Sequence, residues 1–326
     1  MKITMAHGAG GKTSHELMGS IFGKYFSNDV LDELEDAAVL DIEGRIAYST
    51  DTFVVTPVEF RGGNIGKLAV VGTCNDLLMM GAEPMYLTCG FVLEEGLDTD
   101  LLDRIAAAMA AQAEEAGVRI VAGDTKVIEG SGGLFINTSG IGVIPEGRDV
   151  RAANCRPGDK IILSGDLGDH HACILSARMG IENDISSDCA CLRDITEALF
   201  GAGINVRAMR DVTRGGLGTV LNELCETSGC RFDIEEEAVS VNEEVRGFCG
   251  ILGLDPLYMG NEGKLVAVVP AGEADRALEV MRGTEHGANA AVIGEVSEGS
   301  GTYLTTKLGA SRVLDMLYGE GLPRIC

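Results

Sequence analysis

The chain has 326 residues, 45% of them hydrophobic, enough to bury the cores of two domains. Its 50 acidic residues outnumber 26 basic ones, and the resulting formal charge of −24 repels the phosphate backbone of nucleic acid and anionic lipid headgroups. A substrate that is itself anionic, such as a nucleotide, then requires local cations, a bound divalent metal being the simplest.

The amino terminus, Met1-Lys2-Ile3-Thr4-Met5-Ala6-His7, lacks the apolar run of a signal peptide, and no segment reaches the length of a membrane span. A cytoplasmic protein without membrane or nucleic-acid partners is expected. From Arg45 to Thr56, the alternation of Ile46, Tyr48, Thr50, Phe53 and Val55 predicts strands. Asn64 to Met80 then places Ile65, Leu68, Ala69, Gly72 and Asp76 on one helical stripe. An acid on that stripe is out of place in a core. Tyr86 to Leu93 reads as a strand, Leu101 to Ala116 as a helix stopped by Gly117, and Val118 to Ala122 and Leu134 to Ile144 as further strands. The first half is a sheet backed by two long helices.

Turn residues from Asn154 to Asp159 mark a boundary, and a second α/β unit follows. Its expected helices lie near His170 to Met179, Asp188 to Phe200, Thr213 to Thr227 and Asn242 to Leu252. Its expected strands lie near Cys230 to Ile234, Lys264 to Val269 and Ala290 to Val296. The fold class is therefore two mixed α/β domains, residues 1–153 and 154–308, with a tail over 309–326 that starts as a short helix, Ala310 to Leu317. The last nine residues, Tyr318 to Cys326, contain two Gly and one Pro, a composition poorly suited to joining a core. Of the ten Cys, Cys74, Cys89, Cys155, Cys173, Cys225 and Cys249 read as small core residues. Cys189 and Cys191 form a lone C-x-C without the second pair of a zinc site.

Four aspartates, Asp36, Asp51, Asp76 and Asp211, stand beside small residues at element ends. Each alone reads as a helix cap or a solvated acid; converging as a set, they could hold one or two Mg2+ ions that bridge nucleotide phosphates. Two glycine-rich turns, His7-Gly8-Ala9-Gly10-Gly11-Lys12 and Thr213-Arg214-Gly215-Gly216, offer backbone N–H groups to a polyphosphate, although neither is a Walker A sequence. Taken singly, the first is more often a flexible arm, and Thr213 more often a plain N-cap. Gly123-Asp124-Thr125-Lys126 puts Lys126 at a strand end, as site or as surface. Asn261-Glu262-Gly263-Lys264 offers Glu262 as a general base or, taken alone, a surface acid.

The ordered set Asp36-Ala37-Ala38, Ser49-Thr50-Asp51, Asn75-Asp76-Leu77, Gly123-Asp124-Thr125 and Asp211-Val212-Thr213-Arg214-Gly215-Gly216 resembles the aminoimidazole ribonucleotide synthetase superfamily over roughly Lys2 to Val296. Within it, Gly62-Gly63-Asn64-Ile65-Gly66-Lys67-Leu68, the early glycine turn and the closing Pro323-Arg324-Ile325-Cys326 are similar to the HypE family of hydrogenase maturation proteins. The resemblance implies homodimers that bind Mg-ATP between two α/β domains. It implies metal and phosphate roles for Asp36, Asp51, Asp76 and Asp211, and nucleotide contacts from Gly10, Gly11, Lys12, Asp124, Thr125, Thr213 and Gly215. Lys126 and Glu262 would stand near the reacting amide. The implied activity is ATP-dependent dehydration of an S-carbamoyl group on Cys326 to a thiocyanate. A HypF-type carbamoyltransferase would be the donor and a HypC–HypD complex the cyano acceptor. Three positions depart from the pattern: Glu35 where the superfamily often has a second Asp, Asn64 in place of Asp, and Val212 in place of Pro. Two other readings are a small-molecule phosphotransferase like selenophosphate synthetase, opposed by Gly11 standing where that enzyme has Cys or selenocysteine, and a non-catalytic scaffold whose terminal Cys binds metal.

Overall fold

The computed structural model describes residues 1–316. An amino-terminal helical arm, α1 (Lys12–Leu17) and α2 (Gly23–Phe26), precedes β1 (Arg45–Phe53), the short pair β2 (Glu59–Phe60) and β3 (Gly63–Asn64), and α3 (Ile65–Met79). Then come β4 (Glu83–Glu94), α4 (Thr99–Ala116), β5 (Arg119–Ile128) and β6 (Leu134–Ile144). The four long strands form one sheet in the order β1-β6-β4-β5, with β4 and β5 parallel and the other neighbours antiparallel.

The second half contributes β7 (Lys160–Leu163), α5 (Asp169–Met179), α6 (Arg193–Gly201), β8 (Ala208–Asp211), α7 (Gly216–Ser228) and β9 (Arg231–Glu235). It continues with α8 (Glu243–Leu252), β10 (Leu265–Val269), α9 (Ala274–Arg282), β11 (Ala291–Ser297), β12 (Thr302–Thr305) and β13 (Ser311–Val313). Its seven strands run β13-β12-β9-β11-β7-β10-β8.

Helix α3 joins the two halves. Of its 15 residues 13 are buried, the exceptions being Lys67 and Asp76, as expected of a helix that is apolar all round. Gly66 lets it approach α4, where a Cβ would come within 2.5 Å of the Ile105 carbonyl oxygen, and Gly72 lies against the Phe53 ring. One apolar cluster runs from Val70, Leu87 and Ile105 of the first half to Leu192, Ile195 and Leu265 of the second, so the domains share a core. Asn64 caps α3, its side chain accepting the Lys67 N–H at 2.9 Å; Asn and Asp serve equally there, so this departure from the family pattern leaves the helix start intact.

Two expectations are corrected. The helix expected from Asp188 begins only at Arg193, because the residues before it run extended as a strap against α3 and the 262 loop. The helix expected at Ala310 to Leu317 is replaced, within the described residues, by β13. The edge of β12 offers Tyr303 to Thr305 as ladder partners there, and Leu314 is fully buried at the strand's end. The termini also hold elements the sequence reading left out, namely α1 and α2 at one end and β12 at the other.

Candidate active site

Three elements deliver carboxylates to one cavity of about 270 Å3. It is lined by Asp51 from β1, Asp76 from α3, Asp211 from the end of β8, and Glu262, Thr213 and Arg214 from the loops before β10 and α7. The unusual acid on the α3 stripe is thus the one that leaves the core. Its carboxylate accepts the Ser49 hydroxyl at 2.5 Å, tying α3 to β1. Asp51 accepts the N–H of Thr52 at 2.7 Å.

Burial raises all four acids, and repulsion from neighbouring carboxylates adds to it at Asp76, Asp211 and Glu262. The Asp51 carboxyl is raised by burial, with the Thr52 N–H and the Arg214 charge opposing. Asp76 is raised by burial and by Asp51, against the Ser49 hydroxyl. Asp211 is pushed up to about 7, by burial first and then by Asp76. Burial and the charges of Asp188, Asp211 and Asp51 push Glu262 well up. Such a cleft favours an arriving cation, and a polyanion can follow only with one.

The loop that carries Asp211 is held from beneath. Asn261, fully buried, donates to the carbonyls of Val212 at 2.9 Å and Met259 at 3.1 Å and accepts the Gly168 N–H at 2.7 Å. Val212 donates its own N–H to the Lys264 carbonyl at 2.8 Å, a bond that a proline at this position could not make. Gly215 and Gly216 both have positive φ, and a Cβ on Gly216 would meet the Tyr258 backbone at 2.5 Å, so this turn admits only glycine there. Helix α7 starts without a side-chain cap: Thr213 does not serve as its N-cap, which is Gly215, but the Thr213 carbonyl accepts the Gly216 N–H at 3.0 Å.

The other residues singled out from sequence lie elsewhere. Asp124, Thr125 and Lys126 belong to β5, three strands across the sheet from β1, about 14 Å away at ordinary strand spacing. Lys126 pairs with Asp124 at 2.6 Å, and both lie in register with Val92 and Gly90 on the sheet face away from α3. The glycine turn docks beside them, since a Cβ on Gly8 would lie 2.9 Å from that of Val127. Gly10 and Gly11 face open space, and Lys12 pairs with Glu16 at 3.7 Å. Asp124 and Thr125 also line an apolar cavity of about 450 Å3 beneath the amino-terminal arm, with Phe22, Phe26, Cys89 and Phe91. Asp36 is exposed, as is Glu35, and Asp36 is not part of the acidic group. Cys326 lies outside the described residues. Cys189 and Cys191 are buried free thiols, and no three His, Cys, Asp or Glu among the described residues close on one metal position.

The family model for AIR synthase related protein, N-terminal domain, matches residues 34–144, and that for the C-terminal domain matches residues 156–307. Carbamoyl dehydratase HypE of Rhodobacter capsulatus is 50% identical over 335 residues, 100% of this chain and 98% of the relative. The chain belongs to the HypE family. Among solved structures, HypE in complex with ATP superposes with a TM-score of 0.95 at 46% identity, over 99% of both chains. The HypE–HypF complex superposes at 0.82 with 44% identity, over 92% of this chain and 99% of that one. Sequence reasoning missed three parts of this HypE site. Arg214 was quoted within its turn but not taken as the cleft's cation, Ser49 was not read as the partner of Asp76, and Asp188 was assigned to a helix.

Proposed function

We infer that this chain is an ATP-dependent carbamoyl dehydratase that converts an S-carbamoyl group on Cys326 to a thiocyanate, the source of the cyano ligand in the maturation of NiFe hydrogenase. The observation that carries this reading is the convergence of Asp51, Asp76, Asp211, Glu262 and Arg214 on one cleft, in a chain 50% identical from end to end to a carbamoyl dehydratase.

The chemistry assigns work to each group. An amide oxygen leaves poorly, so the carbamoyl oxygen first takes the γ-phosphoryl of ATP, releasing ADP, while one N–H proton departs to give an O-phosphorylated imidate. Loss of the second N–H proton to Glu262 then breaks the C–O bond. The C≡N bond completes on sulfur and phosphate leaves. Arg214, which lines the cleft, would meet the phosphates there. Mg2+ suits the donor set: it takes one or two carboxylates together with phosphate oxygens and water, and these acids offer that rather than a closed cage. One or two of Asp51, Asp76 and Asp211 would hold it, and it would neutralise charge on the transferring phosphoryl group.

Lys126 acts, in this reading, across a homodimer. The face of the first sheet turned away from α3 carries Ile46 and Tyr48, 54% and 65% exposed, with Ile141 and Tyr86 in register beside them. A second copy covering that face would bring the β5 cluster of Asp124 and Lys126, with the Gly8-to-Lys12 turn, to the acidic cleft of its partner. The division into 1–153, 154–308 and 309–326 then gives a nucleotide and dimerisation unit, a second α/β unit and a carrier tail. A HypF-type carbamoyltransferase loads Cys326, as the HypE–HypF complex suggests, and a HypC–HypD complex takes the cyano group in the cytoplasm. No helix among the described residues is long and apolar enough to cross a membrane.

The test is mass spectrometry of the terminal peptide after incubation with a HypF-type donor, carbamoyl phosphate and ATP. The peptide should gain a carbamoyl group and then, with ATP, lose one water. A carbamoylated peptide that never loses water would overturn the dehydratase reading.

A further inference from the structure

We propose that Asp188 is the positioning residue for Glu262, clamping the backbone from which that carboxylate reaches the carbamoyl nitrogen. The proposal rests on the assignment of Glu262 as the base.

The Asp188 carboxylate accepts the Glu262 N–H at 3.0 Å. Two residues on, the N–H of Ala190 donates to the Glu262 carbonyl at 3.2 Å. Both backbone polar groups of Glu262 are thus held by one short stretch of the strap between α5 and α6. The fit is tight, since a Cβ on Gly263 would collide with the Asp188 carbonyl. The strap is itself pinned from the first domain and from α5. Ser187 donates its N–H to the Arg61 carbonyl at 2.9 Å, its hydroxyl lies 2.8 Å from Nδ1 of His170, and Asn75 of α3 bonds to both Ala190 and Leu192.

A backbone N–H could be satisfied by a neutral acceptor, yet the acceptor here is an acid whose side chain is only 4% exposed. Its second oxygen makes no hydrogen bond and has only the Lys264 ammonium, 3.4 Å away. Burying an aspartate under such terms is costly, and a purely structural clamp has no need of it. Beside Glu262, however, the negative charge adds to that of Asp211 and Asp51 and strengthens the neighbouring carboxylate as a base, while Arg214 opposes it. Position and basicity are supplied from one residue that lines a different cavity from the one holding the acids.

The test is a single-turnover measurement on the full-length protein, carbamoylated beforehand and mixed with ATP, following conversion of the terminal peptide. Asp188→Ala should slow dehydration by roughly tenfold or more, the scale for a misplaced catalytic group, with ATP affinity held within about twofold of the parent. Asp188→Asn, which keeps the acceptor for the Glu262 N–H but loses the charge, should recover part of the rate and fall between the Ala variant and the parent. In a Glu262→Gln background, Asp188→Ala should cost nothing further. If Asp188→Ala fails to fold, Asp188→Ala with Lys264→Met removes the stranded ammonium and replaces it. A parental rate in the Ala variant, or an equal further loss in the Glu262→Gln background, would overturn the proposal while leaving Glu262 as the base. A parental rate in Glu262→Gln alone would overturn both.

Discussion

Asn75 accepts the backbone N–H of Leu192 at 2.9 Å and returns its own amide N–H to the carbonyl of Ala190 at 3.1 Å. The side chain is 2% exposed and belongs to the helix turn that presents Asp76 to the cleft, so one turn of α3 both supplies an acid and fixes the strap that holds Glu262. Asn75→Ala would strand a buried donor and a buried acceptor, each costing about 1–3 kcal/mol. The expected loss of stability is about 2–6 kcal/mol by urea unfolding, with the midpoint moved and the slope kept. A loss under about 0.5 kcal/mol would mean that the strap is held without it.

Asp76 should matter for ligand and little for folding. With Asn in its place the Ser49 hydroxyl keeps an acceptor and the repulsion from Asp51 and Asp211 falls. Asp76→Asn should therefore melt no lower than the parent while binding ATP in Mg2+ at least about tenfold more weakly, the loss of one charge-assisted contact. Titration calorimetry decides; unchanged affinity in the folded variant would remove Asp76 from the site.

The pH dependence follows from Asp211, whose carboxyl stands at about 7 against an ordinary value of 3.8. A carboxyl raised on folding favours the folded state while protonated, so its contribution is lost as pH climbs from about 4 through 7. Asp211→Asn, neutral throughout, should flatten that decline, with its advantage over the parent larger at pH 8 than at pH 5. Mg2+, which favours the ionised acids, should raise the parent's melting temperature more at pH 8. Parallel melting curves for parent and variant across this range would count against the assignment.

The dimer reading separates two clusters that must meet. Lys126→Ala and Asp76→Asn should each nearly abolish turnover alone, and a mixture allowed to exchange subunits should regain activity, because a mixed dimer holds one intact site. Light scattering that gave a monomer at micromolar concentration, or a mixture as inactive as its parts, would sink the idea.

Much of this was legible because the strongest signals are local. Asp76 stood out on an apolar stripe at helical spacing, and the strand-like stretch Leu134 to Ile144 has the bounds that β6 has. What was not legible depends on contacts distant in sequence. Asp188 stands just before a helical stretch, yet its carboxylate serves a backbone N–H 74 residues away, a contact that no local pattern announces. Strand β8 has only four residues, too few for a period, and still it places Asp211. At Ser311 the local pattern read as helix, but the open edge of β12 decided otherwise. Lys126 shows the reverse limit, a motif residue that the topology puts three strands from the acids, so that the role proposed for it needs a partner subunit.

The carrier assignment of Cys326 separates binding from chemistry more sharply than any change in the cleft. The groups proposed to face ATP belong to β1, α3, β8 and the 213 and 262 loops, so Cys326→Ala should bind ATP as the parent does and melt within about 0.5 kcal/mol of it. Neither a thiocarbamate nor a thiocyanate can form without the sulfur. The terminal peptide should then gain no mass with a HypF-type donor, carbamoyl phosphate and ATP, and carbamoyl-dependent ADP release should vanish. Deleting Arg324-Ile325-Cys326 should behave alike. Two of the other thiols are poorly suited to substitute: Cys89 is buried and held well above the ordinary thiol value by that burial, and Cys249, also buried, stands at about 11. An adduct found on either thiol, or carbamoyl-dependent ATP turnover persisting in the Ala variant, would take the carrier role away from Cys326 and favour a phosphotransferase acting on a free small molecule.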